Sequence, residues 1–275
     1  MSLLRVTLLD VGAGDSLFVE SVDQRGTSFY ALIDSNDTVE SRSSQIYLRR
    51  FFERLPAPPA NPHFEWVLLT HAHTDHSSGL KRLLRSFGAK RFWYSRTRTS
   101  AAQYPNLIRF VNTAPEVHAV DVIDSSKVLP RFGDVQMTVM WPPPNSVSAN
   151  ENDNSVVLAL SLDQVTFVLT GDSEADGVWS TLSPSLPNAT RVFKVPHHGA
   201  INGTFDSYGN TPWLSALPPR THLAISCHKE PHQHPNATVV NALASSPSTL
   251  FRTDLHQHIT FETDGVDVRV QFSHV

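Results

Sequence analysis

Cysteine is nearly absent from this chain of 275 residues, in which Cys227 is the single thiol. One thiol excludes an internal disulfide and a thiolate-rich zinc cage, so a bound metal would need imidazole and carboxylate ligands. Long apolar runs are also missing, and none approaches the length of a membrane span. We therefore expect a soluble, cytoplasmic protein with no membrane partner, folded as one domain over residues 1–275.

Acidic residues are missing from the segment between His76 and Pro115. The basic residues there are Lys81, Arg82, Arg85, Lys90, Arg91, Arg96, Arg98 and Arg109. Together with Phe92, Trp93 and Tyr94, this segment suits a nucleic acid or nucleotide, with Arg96 and Arg98 as substrate contacts. The alternative is a solvated helix surface around a buried aromatic strand, and the sequence leaves both interpretations open.

The segment His71–His76, with the sequence HAHTDH, is the most informative part of the chain. It follows the apolar run Trp66–Thr70 and places four potential metal ligands within six residues. Residues two apart in an extended segment point the same way, so His71 and His73 can hold one cation. Asp75 and His76 then turn toward a second. A loop rich in histidine by chance is the alternative, but the spacing favours a two-metal site between a strand and a helix.

Two later segments also end apolar runs in potential ligands. Asp172 follows a predicted strand and Gly171, where its carboxylate could bridge two cations, although it could equally cap the next helix. His197 and His198 follow another apolar run and precede Gly199. Adjacent side chains diverge, so we assign His197 to the metal and His198 to proton transfer or a phosphate contact.

Apolar and turn patterns predict strands alternating with helices, and no linker separates two domains. The predicted strands cover residues 3–9, 17–21, 29–33, 66–69, 91–94, 117–120, 135–140, 156–162, 165–169, 191–195, 222–226, 258–262 and 266–272. The predicted helices cover residues 43–54, 78–87, 107–112, 174–182 and 238–245. This order predicts two sheets facing each other with helices outside.

Motifs in a fixed order along nearly the whole chain resemble those of the metallo-beta-lactamase fold superfamily. Within it, they are most similar to the hydrolase domain of DNA-uptake proteins of the ComEC/Rec2 type. The segments that carry the resemblance are Asp10–Ser16, Leu32–Ser35, His71–His76, Asn152–Ser155, Leu169–Asp172, Lys194–Gly199, His234–Pro235 and Arg252–Asp254. The chain shows no counterpart of the membrane channel of those proteins, so DNA import is not expected of it.

The resemblance implies an α/β fold, a four-layer αββα sandwich with two mixed sheets, and two divalent metal ions, zinc or manganese. The implied metal ligands are His71, His73, Asp75, His76, Asp172 and His197, and Asp153 is added as the nearest candidate for the remaining position. The implied catalytic residues are Asp75, His198 and His234. Asp15, Ser16, Asn154 and Ser155 are expected to contact substrate, in addition to Arg96 and Arg98.

The third ligand of the first metal is the open position in this set. The superfamily usually supplies a histidine from the loop before the Gly-Asp strand, but residues 146–152 contain none. Asp153 is the nearest candidate, and a carboxylate there would favour manganese or magnesium over zinc. The alternative is an Asx turn at the start of a strand, with the Asp153 side chain merely solvated.

Three functions remain compatible with the sequence. We favour a hydrolase that uses a hydroxide bound by two metals to cleave a phosphodiester in DNA, RNA or a nucleotide. An acyl hydrolase, such as a lactonase, thioesterase or beta-lactamase, could use the same ligands. A metal-stabilised component of a bacterial defence or DNA-processing system, active only with a protein partner, is the third. The loops at residues 94–106 and 202–213 would decide between a groove and a closed pocket.

Overall fold

The computed structural model of the chain describes residues 1–99 and 103–274. The strands in these residues are β1 Leu3–Leu8, β2 Leu17–Val22, β3 Ser28–Ile33, β4 Trp66–Leu69, β5 Phe92–Tyr94, β6 Val120–Val122, β7 Gln136–Trp141, β8 Val157–Leu162, β9 Val165–Leu169, β10 Thr190–Lys194, β11 His222–Ile225, β12 Thr249–Arg252, β13 His258–Thr263 and β14 Val268–Ser273. The α-helices are α1 Ser43–Glu53, α2 Thr74–Ser77, α3 Leu80–Phe87, α4 Gln103–Val111, α5 Ser180–Leu182, α6 Ile201–Thr204, α7 Pro212–Ala216, α8 Ala237–Ala244 and α9 Thr253–His256.

The strands form two mixed sheets. One has the order β14-β13-β1-β2-β3-β4-β5-β6, and the other has the order β12-β11-β10-β9-β8-β7. In the first sheet the pairs from β3 to β6 are parallel and the others are antiparallel. In the second sheet the pairs from β9 to β12 are parallel and the pairs from β7 to β9 are antiparallel. Each sheet therefore has one half whose strands all run the same way.

Alternating apolar residues bury one face of each sheet against the other. This central core contains Leu4, Val6 and Leu8 of β1 together with Leu158 and Leu160 of β8. Because successive side chains of a strand point to opposite faces, the remaining apolar residues lie on the outer faces, where helices cover them. On the first sheet these helices are α1, α3 and α4, and on the second they include α7 and α8. The predicted αββα architecture is thus confirmed.

Most predicted elements form, and the departures have local causes. The predicted helix at residues 78–87 starts earlier, as α2, and then restarts as α3 after Gly79. Residues 174–182 form a π-helical segment, Ala175–Trp179, followed by α5, rather than one α-helix. The predicted strand at residues 117–120 is instead β6, Val120–Val122. The short edge strand β12 was not predicted, because its alternation is too brief to distinguish from a turn.

The parallel halves of the two sheets position the site. In each of them the carboxyl ends of the strands lie at one edge, and the chain leaves those ends through loops that carry polar residues. Part of the predicted loop at residues 94–106 falls on residues 100–102, which lie outside the described part of the chain. Within the described part, no helix is long and apolar enough to cross a bilayer.

Candidate metal centre

The candidate centre is built from the carboxyl ends of parallel strands in both sheets. Asp34 follows β3, and the segment His71–His76 follows β4. Asp172 follows β9, and His198 follows β10. The two sheets meet here, since the backbone N–H of Val156 donates to the Thr70 carbonyl (3.0 Å).

His76 lies at the middle of this site and is fully buried. Its Nδ1 is 2.7 Å from Oδ2 of Asp34, and its Nε2 is 3.2 Å from Oδ2 of Asp172. Asp34 is itself fixed by the backbone N–H and the hydroxyl of Thr70, which donate to its two oxygens. The Asp34 carboxylate therefore accepts from Nδ1 and turns Nε2 of His76 toward Asp172 and the site.

His198, rather than His197, joins this cluster. Its Nδ1 donates to the Ser226 carbonyl at 2.9 Å, and its Nε2 lies 3.4 Å from Asp172 and 3.6 Å from Asp75. Both histidines have left-handed backbone angles, with φ of 48° at His197 and 52° at His198. This tight turn sends the two side chains in different directions, and their order cannot be read from the motif. Among the described residues, the structure therefore groups His198, and not His197, with Asp75, His76 and Asp172.

Asp75, His76, Asp172 and His198 form a group in which one potential ligand atom of each residue lies within 4.8 Å of the others. Burial alone would raise the pKa of the Asp172 carboxyl, but His198 and His76 outweigh burial and hold that pKa well below its usual range. Burial would likewise lower the pKa of His198, yet Asp172 and Asp15 raise it to about 10. The four side chains are thus strongly coupled by charge.

His71 and His73 form a separate pair beside this group. Nε2 of His71 is 3.0 Å from Nδ1 of His73, as expected for residues two apart in an extended segment. His71 is buried, whereas His73 is exposed. The pair approaches the group of four through His71, whose Nε2 is 3.9 Å from Oδ2 of Asp172.

Polar atoms in this site fit a divalent cation. In the described residues, Oδ1 of Asp172 and Nε2 of His198 are buried and have no hydrogen-bond partner. Buried carboxylate and imidazole atoms are costly when left unpaired, and a metal ion satisfies both. Imidazole and carboxylate ligands whose outer nitrogens are already held by Asp34 and by the Ser226 carbonyl are the donor set typical of zinc and manganese centres.

Asp153, predicted as the third ligand of the first metal, points elsewhere. Its Oδ1 accepts from the Glu174 backbone N–H at 3.3 Å, and its carboxylate packs onto Gly177, where an added Cβ would lie 2.0 Å from Oδ2. Within residues 1–99 and 103–274, Asp153 belongs neither to the group of four nor to a second group of potential ligands, Asp15, Asp34 and His76. Burial raises the pKa of this carboxyl to about 6, and the nearby Glu174 adds to the shift. The Asp153 carboxylate therefore faces Glu174 and Gly177, and its role as a third ligand stays a prediction.

Four residues expected to contact substrate are buried instead. They are Asp15, Ser16, Asn154 and Ser155. Ser155 Oγ accepts from the Asp172 backbone N–H at 3.0 Å, and Ser16 Oγ accepts from the Ser44 hydroxyl. These side chains have almost no exposed surface and contact the loops around the site, and their contact with substrate stays a prediction.

Lys194 and Asp34 are charged residues at the site for which the sequence motifs did not predict a role. Lys194 is 1% exposed, and its Nζ forms an ion pair with Oδ2 of Asp15 at 2.7 Å. Burial would lower the pKa of Lys194, but Asp15 and Asp172 outweigh it and raise that pKa. Asp15 in turn lies 3.7 Å from His198 and 3.9 Å from His76. The sequence signal for this ion pair was a lysine at the end of the apolar strand Thr190–Lys194. A lysine buried there needs an acidic partner.

His197 and His234 lie beside the group of four. Nδ1 of His197 is 3.6 Å from Oε1 of Glu174, and the ring centroids of His197 and His234 are 5.9 Å apart. Burial lowers the pKa of His234 to about 4, and the positive charges of His198 and His197 add to this. The imidazole of His234 is therefore neutral at neutral pH and able to accept a proton.

The basic segment divides between two edges of the first sheet. Arg96 and Arg98 are exposed after the carboxyl end of β5, the edge that carries the metal centre. Lys90 and Arg91 precede β5 at the opposite edge, where they pair with Glu65 and Asp121.

The aromatic residues between these charges belong to the core. Phe92 and Trp93 are buried, and Tyr94 is half-buried. Of the two interpretations of this segment, the buried aromatic strand is confirmed, and base stacking on Phe92 or Trp93 is excluded by their burial.

A sequence profile described as the metallo-beta-lactamase superfamily matches residues 60–210. The ComE operon protein 3 of Bacillus subtilis (strain 168) is 26% identical over 265 residues, which cover 93% of this chain and 32% of that protein. The chain therefore spans about a third of the length of this relative.

Solved structures show the same fold. The metallo-beta-lactamase fold protein YhfI from Bacillus subtilis superposes with a TM-score of 0.57 at 13% identity, over 96% of this chain and 100% of that one. Zn(2+)-bound PqqB from Methylobacterium extorquens superposes with a TM-score of 0.53 at 13% identity, over 92% of this chain and 98% of that one. Since the profile also covers more than half of the chain, this chain belongs to the metallo-beta-lactamase superfamily of hydrolases.

Proposed function

We propose that this chain is a metal-dependent phosphodiesterase that acts on nucleic acid or a nucleotide. The observation that carries the proposal is the position of the ligand group at the same sheet edge as exposed cationic side chains. Arg96 and Arg98 follow β5, and the ligand segment His71–His76 follows the neighbouring parallel strand β4. A nucleic acid carries negative charge at the scissile phosphodiester and at the neighbouring phosphates. Bound metal ions would face the scissile group, and the two arginines would face the neighbouring phosphates.

The cationic loop is attached to the metal centre. The Ser95 hydroxyl donates to the Thr70 carbonyl at 3.1 Å, directly before His71. Arg96 reaches Asn145, with 3.3 Å between its guanidinium and the amide oxygen. We infer that a polyanion bound by this loop is positioned relative to the ligands, because the Ser95–Thr70 hydrogen bond joins the two segments.

A second set of polar side chains lies on the other side of the ligand loop. Lys81 lines a cavity of about 420 Å³ together with Thr74 and Ser77. Thr74 lies between His73 and Asp75 in the chain, so this cavity borders the metal centre. Lys81 is exposed there, and its ammonium is 5.4 Å from the ring centroid of Phe110. Lys81 and Arg82, which line this cavity, add further positive charge near the ligands.

The chain's own residues have separate roles in the proposed reaction. Asp75, His76, Asp172 and His198 would hold one divalent ion, and His71 and His73 would hold another. When bound, such ions lower the pKa of a coordinated water and polarise a phosphoryl oxygen. Asp34 and the Ser226 carbonyl fix the imidazole rings, so that the ligand nitrogens keep their orientation.

Proton transfer falls to His234 in this proposal. Its Nδ1 is buried without a hydrogen-bond partner among the described residues, and its ring is neutral at neutral pH. It lies next to His197, outside the group of four ligands. A neutral imidazole in this position accepts a proton from water and returns it to the leaving oxygen.

Cleavage of labelled single-stranded DNA by the purified chain with added Mn²⁺ tests the proposal. We expect metal-dependent cleavage, with loss of at least about 100-fold of the rate in Asp172→Asn, because Asp172 contacts both His76 and His198. The Asn variant keeps the volume of the side chain, and its circular dichroism spectrum should match that of the parent. Cleavage that persists in Asp172→Asn would identify a contaminating nuclease and overturn the proposal.

Charge variants separate a phosphodiesterase from an acyl hydrolase. Arg96→Gln with Arg98→Gln removes two cations at the site edge, and Lys90→Gln with Arg91→Gln is the matched pair at the opposite edge. For single-stranded DNA each phosphate contact contributes about −0.7 to the slope of log affinity against log salt, so the first pair should weaken the slope by about 1.4. Equal effects of the two pairs, or hydrolysis of lactone and thioester probes without DNA cleavage, would contradict the proposed substrate class.

A further inference from the structure

The two potential ion positions in this site differ in the number of ligands that the chain provides. Asp75, His76, Asp172 and His198 converge, with one ligand atom of each within 4.8 Å of the others. His71 and His73 offer a pair of nitrogens 3.0 Å apart. Within residues 1–99 and 103–274, no other His, Cys, Asp or Glu places a ligand atom within 4.8 Å of both nitrogens.

Residues outside the described ranges do not complete the pair. They are Ser100, Ala101, Ala102 and Val275, and none carries an imidazole, thiol or carboxylate side chain. The pair touches the group of four only through His71, whose Nε2 is 3.9 Å from Oδ2 of Asp172 in the described structure.

The carboxylates nearest in sequence to the missing ligand are engaged elsewhere. Glu151 accepts from the Ala72 backbone N–H through Oε1, and from the Thr97 hydroxyl through Oε2 at 2.6 Å. Asp153 faces the Glu174 backbone N–H and packs onto Gly177. Either side chain would have to give up these contacts before it could serve as a third ligand.

Support behind the ligands is also unequal. In the group of four, Asp34 holds His76, the Ser226 carbonyl holds His198, and Ser155 Oγ accepts from the backbone N–H of Asp172. Such outer contacts fix ligand orientation and raise metal affinity by about 10- to 100-fold. Behind the pair, the Thr70 hydroxyl lies 3.2 Å from Nδ1 of His71. His73 is exposed and its Nδ1 faces His71 itself, so the pair is less preorganised.

We propose that the chain binds two divalent ions with unequal affinity, a tight ion at Asp75, His76, Asp172 and His198 and a weak ion at His71 and His73. The tight ion stays with the protein on dialysis. The weak ion is lost on dialysis and returns when free metal is added. Metal binding is measured without DNA, so the test of this inference does not depend on the proposed substrate.

Metal content and calorimetry test the inference without an activity assay. Protein loaded with Mn²⁺ and then dialysed is expected to retain one ion per chain by elemental mass spectrometry. Titration of the metal-free protein with Mn²⁺ is expected to show two events, with dissociation constants that differ by about 10- to 100-fold. Two retained ions, or two events of equal affinity, would overturn the inference.

Variants identify which residues hold which ion. His73→Ala should abolish the weak event and keep the retained ion, whereas Asp75→Asn should weaken the tight event at least about 10-fold. Both side chains reach solvent, so both proteins should fold, and His118→Ala is a matched control because His118 is an exposed histidine near the opposite sheet edge. Loss of the retained ion in His73→Ala, with retention in Asp75→Asn, would reverse the assignment and refute it.

Discussion

Replacement of Lys194 by methionine should destabilise the protein because it leaves a buried carboxylate without its cation. Lys194 and Asp15 are each almost completely buried, and their charged atoms are 2.7 Å apart. Lys194 Nζ also donates to the Gly171 carbonyl at 3.1 Å. Methionine fills a similar volume but carries no charge, so Asp15 would either ionise without a partner or take up a proton.

The expected cost follows from this burial. Removal of one partner of a buried ion pair costs about 3–5 kcal/mol, and most of that cost comes from the charge that remains. If so, Asp15→Asn should rescue Lys194→Met, since the double variant leaves no buried charge at this position. We expect a coupling energy of about 2 kcal/mol between the two substitutions.

Urea unfolding of the metal-free proteins, followed by tryptophan fluorescence, measures both quantities. The four proteins of the cycle are compared at pH 7 with a chelator present, so that metal binding does not contribute to stability. A loss below about 1 kcal/mol in Lys194→Met, or strictly additive effects of the two substitutions, would refute the reasoning.

Three further predictions concern residues around the site. Asp34→Asn should lower Mn²⁺ affinity by about 10- to 100-fold in calorimetry, because it removes the carboxylate that accepts from His76 Nδ1. Asp37→Asn is its control: Asp37 accepts from the first backbone N–H groups of α1, so equal losses of affinity would contradict the orienting role. Burial raises the Asp153 pKa from its usual value to about 6, so its stabilising contribution is present below about pH 4 and is lost as pH rises through about 6. The unfolding free energy of Asp153→Asn, relative to that of the parent, should therefore be higher at pH 7 than at pH 4. An equal difference at the two pH values would disprove this. Gly79→Ala should cost about 1–3 kcal/mol in urea unfolding, because the new methyl group would lie 2.9 Å from the Asp37 backbone nitrogen; an unchanged midpoint would show that the loop yields freely.

Local spacing was sufficient to predict that side chains following β4 and β9 come together. In the segment His71–His76, the strand direction fixes which side chains point together, and the structure brings Asp75 and His76 into one group with Asp172. Asp172 was identified because a carboxylate after a buried strand and a glycine lies at a sheet edge. Both arguments need only the geometry of a strand and its end.

The order of His197 and His198 depends on backbone angles that the sequence does not specify. Two successive left-handed residues, followed by Gly199, turn His198 and not His197 toward Asp75, His76 and Asp172. The contacts of Asp153 depend on backbone geometry in the same way. Its carboxylate fits against Gly177, and that contact depends on the π-helical segment Ala175–Trp179, which apolar spacing could not distinguish from an α-helix.

A run of charges in the sequence is not yet a charged surface. Because β5 is three residues long and runs straight through the sheet, Arg91 and Arg96 end at opposite edges although they are five positions apart. Lys81, Arg82, Arg96 and Arg98 are the basic residues that lie at the site edge or line its neighbouring cavity. Four phosphate contacts give a salt slope of about −3 for single-stranded DNA, whereas the whole basic segment would give about −6. The fold predicts the smaller slope, because strand direction places the other basic residues away from the site. A measured slope near the larger value would instead indicate that a substrate contacts the whole basic segment.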